Sequence, residues 1–236
     1  TGTGTNNMQL HQFSDSQALN AAFAAEISAK LQQAIEARGE AVFVVSGGRT
    51  PLPLFQTLAN TDLDWSKVTI TLADDRYLPD DAPDSNERLV KSALLQNKAA
   101  AAKFISLYAA ADNAEAAVPA LLSRIRDLPR FDVVILGMGE DGHTASLFPC
   151  SKELAAGLAD NAADLLATNP TTAPYQRISF SKPRLAQGRA IYLHLVGSKK
   201  LQVLQQAAAG TDVAAMPIRA FIQLTDRELS VMYADQ

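Results

Sequence analysis

Cysteine is nearly missing from this chain. Cys150 is the sole thiol in 236 residues, which excludes an internal disulfide framework and fits a reducing compartment. Histidine is scarce too: three residues, scattered, supply no ligand cluster for zinc, and no metal is expected. No apolar run approaches the roughly 20 residues of a membrane span, and no charged-then-apolar leader is visible, so the expectation is a cytoplasmic protein with no membrane partner. Positive charge is not in excess either. A net charge of −4 argues against a nucleic-acid partner, whose phosphates normally need a basic face. Any anionic ligand must then be met by local Arg or Lys.

What is present suits a large core. With 47% hydrophobic and 19% charged residues, the chain reads as one α/β domain over 8–236. Residues 1–7, Thr-Gly-Thr-Gly-Thr-Asn-Asn, have neither periodicity nor apolar content and are left outside the fold. Met8 to Phe13 reads as a first strand. Ser14 or Asp15 then caps a long helix whose apolar residues Leu19, Phe23, Ile27, Leu31 and Ile35 step by four to Gly39. Ala41 to Val45 is a β-branched run typical of a fully buried parallel strand. Further strands are expected at Trp65–Leu72, Phe104–Tyr108, Val133–Leu136, Arg189–Val196 and Glu228–Tyr233. Helices are expected at 87–95, from Asp112 or Asn113 through Ile125, from Gly197 through Leu204, and as a last turn at 217–222. This alternation predicts a mostly parallel, doubly wound sheet with helices on both faces.

Four stretches carry chemistry. Ser46-Gly47-Gly48-Arg49-Thr50-Pro51 follows a strand; Thr50 suits an N-cap and Pro51 the first helical position, so the glycines let a ligand approach a helix N-terminus, where an anion such as phosphate is favoured. An ordinary strand-to-helix turn is the competing account, and no Gly-Lys-Ser/Thr follows, which excludes a Walker loop. Asp74-Asp75-Arg76, with Asp84-Ser85-Asn86 beyond it, places carboxylates and an arginine at a strand end. Such acids are usually solvated, and Ser85 suits the cap of the next helix. Lys200 lies near a helix N-terminus, where the dipole disfavours a cation unless an anion compensates; a surface lysine tolerated at small cost is the competing account.

The fourth stretch, Phe131 to Pro149, is the one around which the chain is organised. Val133 to Leu136 leads into Gly137-Met-Gly139-Glu-Asp141-Gly142-His143. The spacing matches the dinucleotide pattern G-x-G-x-x-G, but Glu140 and Asp141 put negative charge where a pyrophosphate would sit and the apolar periodicity stops at Phe148-Pro149, so a nicotinamide cofactor is rejected. What remains is a loop with Asp141 two residues from His143, followed by a short helical turn at 144–146. A carboxylate beside an imidazole fixes its tautomer and raises its basicity. Ser46 is no nucleophile elbow, and His194 alternates with core residues and reads as structural.

Together, Ser46 to Pro51, Asp74-Asp-Arg76 with Asp84-Ser-Asn-Glu-Arg88, Leu136 to Pro149 and Gly197-Ser-Lys-Lys200 resemble the 6-phosphogluconolactonase family, in order from about Phe13 to the C-terminus. Asp75 departs from the pattern, since the family commonly has glutamate there. The resemblance implies hydrolysis of a phosphorylated sugar lactone to 6-phosphogluconate without metal or organic cofactor. His143, oriented by Asp141, would activate water. Phosphate would lie against Gly47, Gly48 and Thr50 with Arg76, Arg177 and Lys200 as cationic partners, and Asp74, Ser85 and Asn86 would line the pocket. The related glucosamine-6-phosphate deaminase/isomerase has an acidic residue five positions after the histidine; here that position is Phe148. A sugar-phosphate-sensing domain of transcriptional regulators is the third alternative, disfavoured because Asp141 and His143 are retained and no helix-turn-helix is expected before the first strand.

Overall fold

The computed structural model describes residues 6–236. Ten strands and eight helices are formed among them: β1 Met8–Phe13, α1 Ser16–Arg38, β2 Ala41–Val45, α2 Leu52–Ala59, β3 Val68–Leu72, β4 Asp74–Arg76, α3 Asn86–Ala93, β5 Lys103–Phe104, α4 Ala114–Ile125, β6 Val133–Leu136, α5 Leu154–Leu158, β7 Leu165–Thr168, β8 Arg177–Phe180, α6 Lys182–Ala186, β9 Ala190–Val196, α7 Ser198–Ala208, α8 Arg219–Ile222 and β10 Leu229–Ala234.

Seven strands form one parallel sheet in the order β1-β10-β9-β6-β2-β3-β5. Its two central strands, β2 and β6, are apolar throughout because helices and loops cover both faces. Every residue of β2 and β6 is buried, and each buried Val, Leu, Ile or Phe contributes about 1.5–3 kcal/mol. α1 packs on β2, β10 and α2, burying Leu19, Phe23, Ile27 and Leu31 at the expected spacing of four. It begins where Asp15 accepts the Ala18 N–H at 2.8 Å and ends at Gly39, φ 81°. At the opposite edge from the site, buried Asp132 accepts the Val42 N–H and pairs with Arg38 and Arg189, tying the end of α1 to the starts of β2 and β9.

From β2 the chain moves outward to β3 and β5, and from β6 it moves the other way to β9 and β10. The order therefore reverses between β2 and β6, and ligands of open α/β sheets bind outside the carboxyl ends of strands at such a point. Ser46 to Thr50 leaves β2 there and Gly137 to His143 leaves β6. The Ser46 hydroxyl donates to the Ile135 carbonyl at 2.8 Å and joins the two.

Several expectations need correction. The mostly parallel reading holds, with one addition that was not expected: a small antiparallel sheet, β4-β8-β7, beside the seven-stranded one. Residues 65–67 are a 3-10 turn, so β3 starts at Val68. The strand expected at 104–108 pairs with β3 only through Lys103 and Phe104, because Ser106 Oγ turns back to accept the Tyr108 N–H. No helical turn forms at 144–146: Ala145 is left-handed, φ 49°, inside a tight turn bridged by Thr144 and Leu147. Residues 1–5 lie outside the described residues, but Asn6 and Asn7 belong to the fold: Asn7 hydrogen-bonds to Ile222, Leu224, Arg227 and Leu229.

Candidate active site

A cleft of about 320 Å³ opens at the strand-order reversal. Its wall includes nine of the eleven residues singled out in the sequence: Gly47, Gly48, Thr50, Asp74, Arg76, Asn86, His143, Arg177 and Lys200. Three cations thus face one carboxylate in a chain whose net charge is negative. Asp141 reaches the cleft only through His143. Ser85 is a correction: it is buried and its hydroxyl accepts the Arg88 N–H at 3.2 Å, so it caps α3 and does not line the cleft.

The Asp141–His143 pair is built by its loop. Asp141 Oδ1 accepts the His143 backbone N–H at 2.9 Å and lies 2.6 Å from His143 Nδ1. Gly139 and His143 are joined by a backbone bond of 2.9 Å, and the imidazole lies so close that a Cβ on Gly139 would come within 2.1 Å of its Cε1. The ring also stacks on Phe148, centroids 4.1 Å apart. Nδ1 is therefore assigned the proton shared with Asp141, and Nε2 has no partner among the described residues.

The arginines come from the small sheet. Arg76 and Arg177 are directly opposite one another in the β4–β8 ladder. Like charges opposite across a ladder repel, and Arg177 is buried, its guanidinium 5.4 Å above the Phe148 ring. Burial holds its pKa below the usual value, partly offset by Asp74. Asp74 in turn accepts the Ser146 hydroxyl at 2.5 Å. On the far wall Lys200 donates to the Met138 carbonyl at 2.7 Å.

In the loop after β2, the N–H groups of Gly48, Arg49 and Thr50 donate to no group among the described residues. Thr50 is not the N-cap expected of it: α2 begins one residue later, with Pro51 in the cap position and no side-chain cap. The loop is pinned instead by Asn86, whose carboxamide lies where a Cβ on Gly47 would be, 2.1 Å from Oδ1. Asn86 is held in turn by Asp75, which accepts the Asn86 and Glu87 N–H groups at 2.9 and 3.1 Å and so closes the first turn of α3. That is the structural place of the residue that departs from the family pattern.

Sequence reasoning missed two features. His194, read as structural, is buried against Phe23 yet contributes to the cleft floor, and neither ring nitrogen has a hydrogen-bond partner. Tyr175, exposed beside the arginines, carried no motif. Among the described residues no cluster of three or more His, Cys, Asp or Glu can hold a metal ion, and no helix is long and apolar enough to cross a membrane.

A doubly wound α/β sheet with a cationic cleft at its reversal point and a carboxylate-oriented imidazole in the wall defines the class. The chain belongs to the glucosamine-6-phosphate isomerase/6-phosphogluconolactonase family, whose model matches residues 14–231. A 6-phosphogluconolactonase of Pseudomonas putida is 42% identical over 221 residues, covering 91% of this chain and 89% of the relative. One from Rhizobium meliloti (strain 1021) is 42% identical over 227 residues, covering 95% and 98%. The crystal structure of a 6-phosphogluconolactonase from Shewanella baltica OS155 matches with a TM-score of 0.95 at 48% identity, covering 98% of this chain and 99% of that one.

Proposed function

We infer that this chain hydrolyses 6-phosphoglucono-δ-lactone to 6-phosphogluconate, the reaction for which those relatives are named, in the pentose phosphate pathway. The observation that carries the reading is the 2.6 Å contact between Asp141 and His143 in a cleft that also holds Arg76, Arg177 and Lys200. Water attacks the lactone carbonyl as Nε2 of His143 takes its proton; collapse of the tetrahedral intermediate breaks the bond to the ring oxygen, which receives that proton from the imidazolium. The new carboxyl group ionises and releases a proton to solvent. Asp141 keeps Nδ1 protonated and stabilises the charged ring.

The phosphate is assigned to the two opposed arginines, Lys200 and the free N–H groups of residues 48–50, with Gly47 and Gly48 in the wall beside it. Asp74 and Asn86 are assigned to sugar hydroxyls. Backbone N–H groups are the source of oxyanion stabilisation, but those of Gly139, Gly142 and His143 are already committed within their own loop. The reading needs neither metal nor organic cofactor, and its setting is cytoplasmic, in keeping with the lone thiol.

Phe148 separates this reading from the deaminase. A phenylalanine stacked on the imidazole offers no proton for ring opening. The test is the initial rate of 6-phosphogluconate formation from freshly made lactone, corrected for spontaneous hydrolysis, beside ammonia release from glucosamine-6-phosphate. A large acceleration of the first with none of the second is expected; the reverse pattern would sink the assignment.

A further inference from the structure

The two arginines are held by the backbones of two different loops. Arg76 Nη1 donates to the Asp84 carbonyl at 2.8 Å. Arg177 donates through Nε and Nη2 to the Pro174 carbonyl at 3.2 and 2.9 Å. Among the described residues a single side-chain bond joins those loops at this point: the Tyr175 hydroxyl donates to Asp84 Oδ2 at 2.6 Å. The Asp84 carboxylate holds that hydroxyl above its ordinary pKa.

Packing does not account for where Tyr175 sits. The residue is 42% exposed, and its backbone is left-handed, φ 72°. An aromatic residue in that region is strained, and such strain persists where surrounding structure imposes it, often at ligand clamps. The next residue, Gln176, returns to the ladder, its carbonyl accepting the Tyr77 N–H at 2.7 Å. The strained turn therefore caps the ladder in which Arg76 and Arg177 face each other.

We propose that Tyr175 is a positioning residue: clasped on Asp84, it fixes the spacing of the Arg76 and Arg177 guanidinium groups and so sets the affinity for the phosphate of the substrate. The proposal rests on the reading of these arginines as the phosphate site. A short hydrogen bond to a carboxylate is a strong one; without it, the repulsion between the arginines acts on two loops joined only by backbone. The clasp touches neither His143 nor Asp141, so the chemical step does not depend on it.

The test compares Tyr175→Phe, Asp84→Ala and their double variant with Arg177→Ala, measuring kcat and KM on 6-phosphoglucono-δ-lactone and Ki for inorganic phosphate as a competitive inhibitor. Tyr175→Phe removes one oxygen and should raise KM by about tenfold, the weight of one hydrogen bond to a charged group, with Ki rising in parallel and kcat little changed. Asp84→Ala retains the carbonyl that holds Arg76 and should do the same, and the double variant should be no worse than the more affected single one. A wild-type KM in Tyr175→Phe overturns the proposal, as does a raised KM with an unchanged Ki. If Arg177→Ala still raises KM in that case, the phosphate site stands without Tyr175. If Arg177→Ala also leaves KM unchanged, the phosphate site falls first and the clasp with it.

Discussion

Asp141 Oδ1 holds His143 twice, accepting its backbone N–H at 2.9 Å and meeting its Nδ1 at 2.6 Å. One oxygen thus sets both the main chain and the tautomer of the residue beside it. An asparagine at 141 can present an N–H to Nδ1 and so move the ring proton to Nε2, where it blocks attack by water. Asp141→Asn is expected to lower kcat by roughly 10²-fold or more while KM stays near the wild-type value. Steady-state kinetics decide it, and a loss confined to KM would contradict the orienting role.

Gly139 lies under the same ring. A methyl group there would stand 2.1 Å from His143 Cε1, and the imidazole is also packed against Phe148. Gly139→Ala should therefore displace the base and cut kcat on the order of 10²-fold. Titration of the His143 ring by NMR would show whether the fold and the imidazole survive. Full activity in this variant would mean that the position of His143 is not critical.

Arg177 is buried, stacked over Phe148 and opposed by Arg76. Removing it relieves the repulsion between the two cations and removes the proposed phosphate contact, worth about 1.5–3 kcal/mol. Arg177→Ala should raise KM roughly 10- to 100-fold, and inorganic phosphate should raise its Tm less than it raises that of the wild-type protein. Equal thermal shifts would place the anion elsewhere.

Two buried groups give the stability opposite pH dependences. Burial pushes the Asp75 carboxyl from 3.8 up to about 7, against the N–H groups of Asn86 and Glu87. The folded chain keeps a proton there that the unfolded chain has released, so this contribution is full below the ordinary carboxyl pKa and is lost as pH rises through about 7. Burial pushes His194 from 6.5 down to about 4, and its contribution is present above 6.5 and lost as pH falls through about 4. Between these limits Asp75→Asn should make Tm rise more steeply with pH than in the wild-type protein, and His194→Leu less steeply. Three parallel curves would refute both assignments.

The large sheet was legible because burial on both faces leaves a simple signature: Ala41–Val45 and Val133–Leu136 are apolar runs, and α1 shows its core face every fourth residue. The Asp141–His143 pair was legible because its partners are two residues apart. The small sheet was not. β4 is three polar residues, Asp74-Asp75-Arg76, whose strand character comes from pairing with the distant β8. The opposition of Arg76 and Arg177 and the bond from Asp75 to α3 are consequences of that pairing, and no local pattern encodes them. The turn after His143 misled for a related reason: Thr144, Ala145 and Ser146 suit a helix by composition, but Ser146 is drawn to Asp74 and Thr144 Oγ1 to the Gly137 carbonyl, which forces Ala145 to a positive φ.

The most direct test of the account is proton release from fresh 6-phosphoglucono-δ-lactone, followed for the wild-type protein and for His143→Ala, with circular dichroism to establish that both are folded. The wild-type protein should accelerate release far above the spontaneous rate, and His143→Ala should lose roughly 10²- to 10⁴-fold in kcat, the range for a general acid–base residue. A folded His143→Ala variant that turns over at the wild-type rate would contradict the assignment of this cleft as the catalytic one.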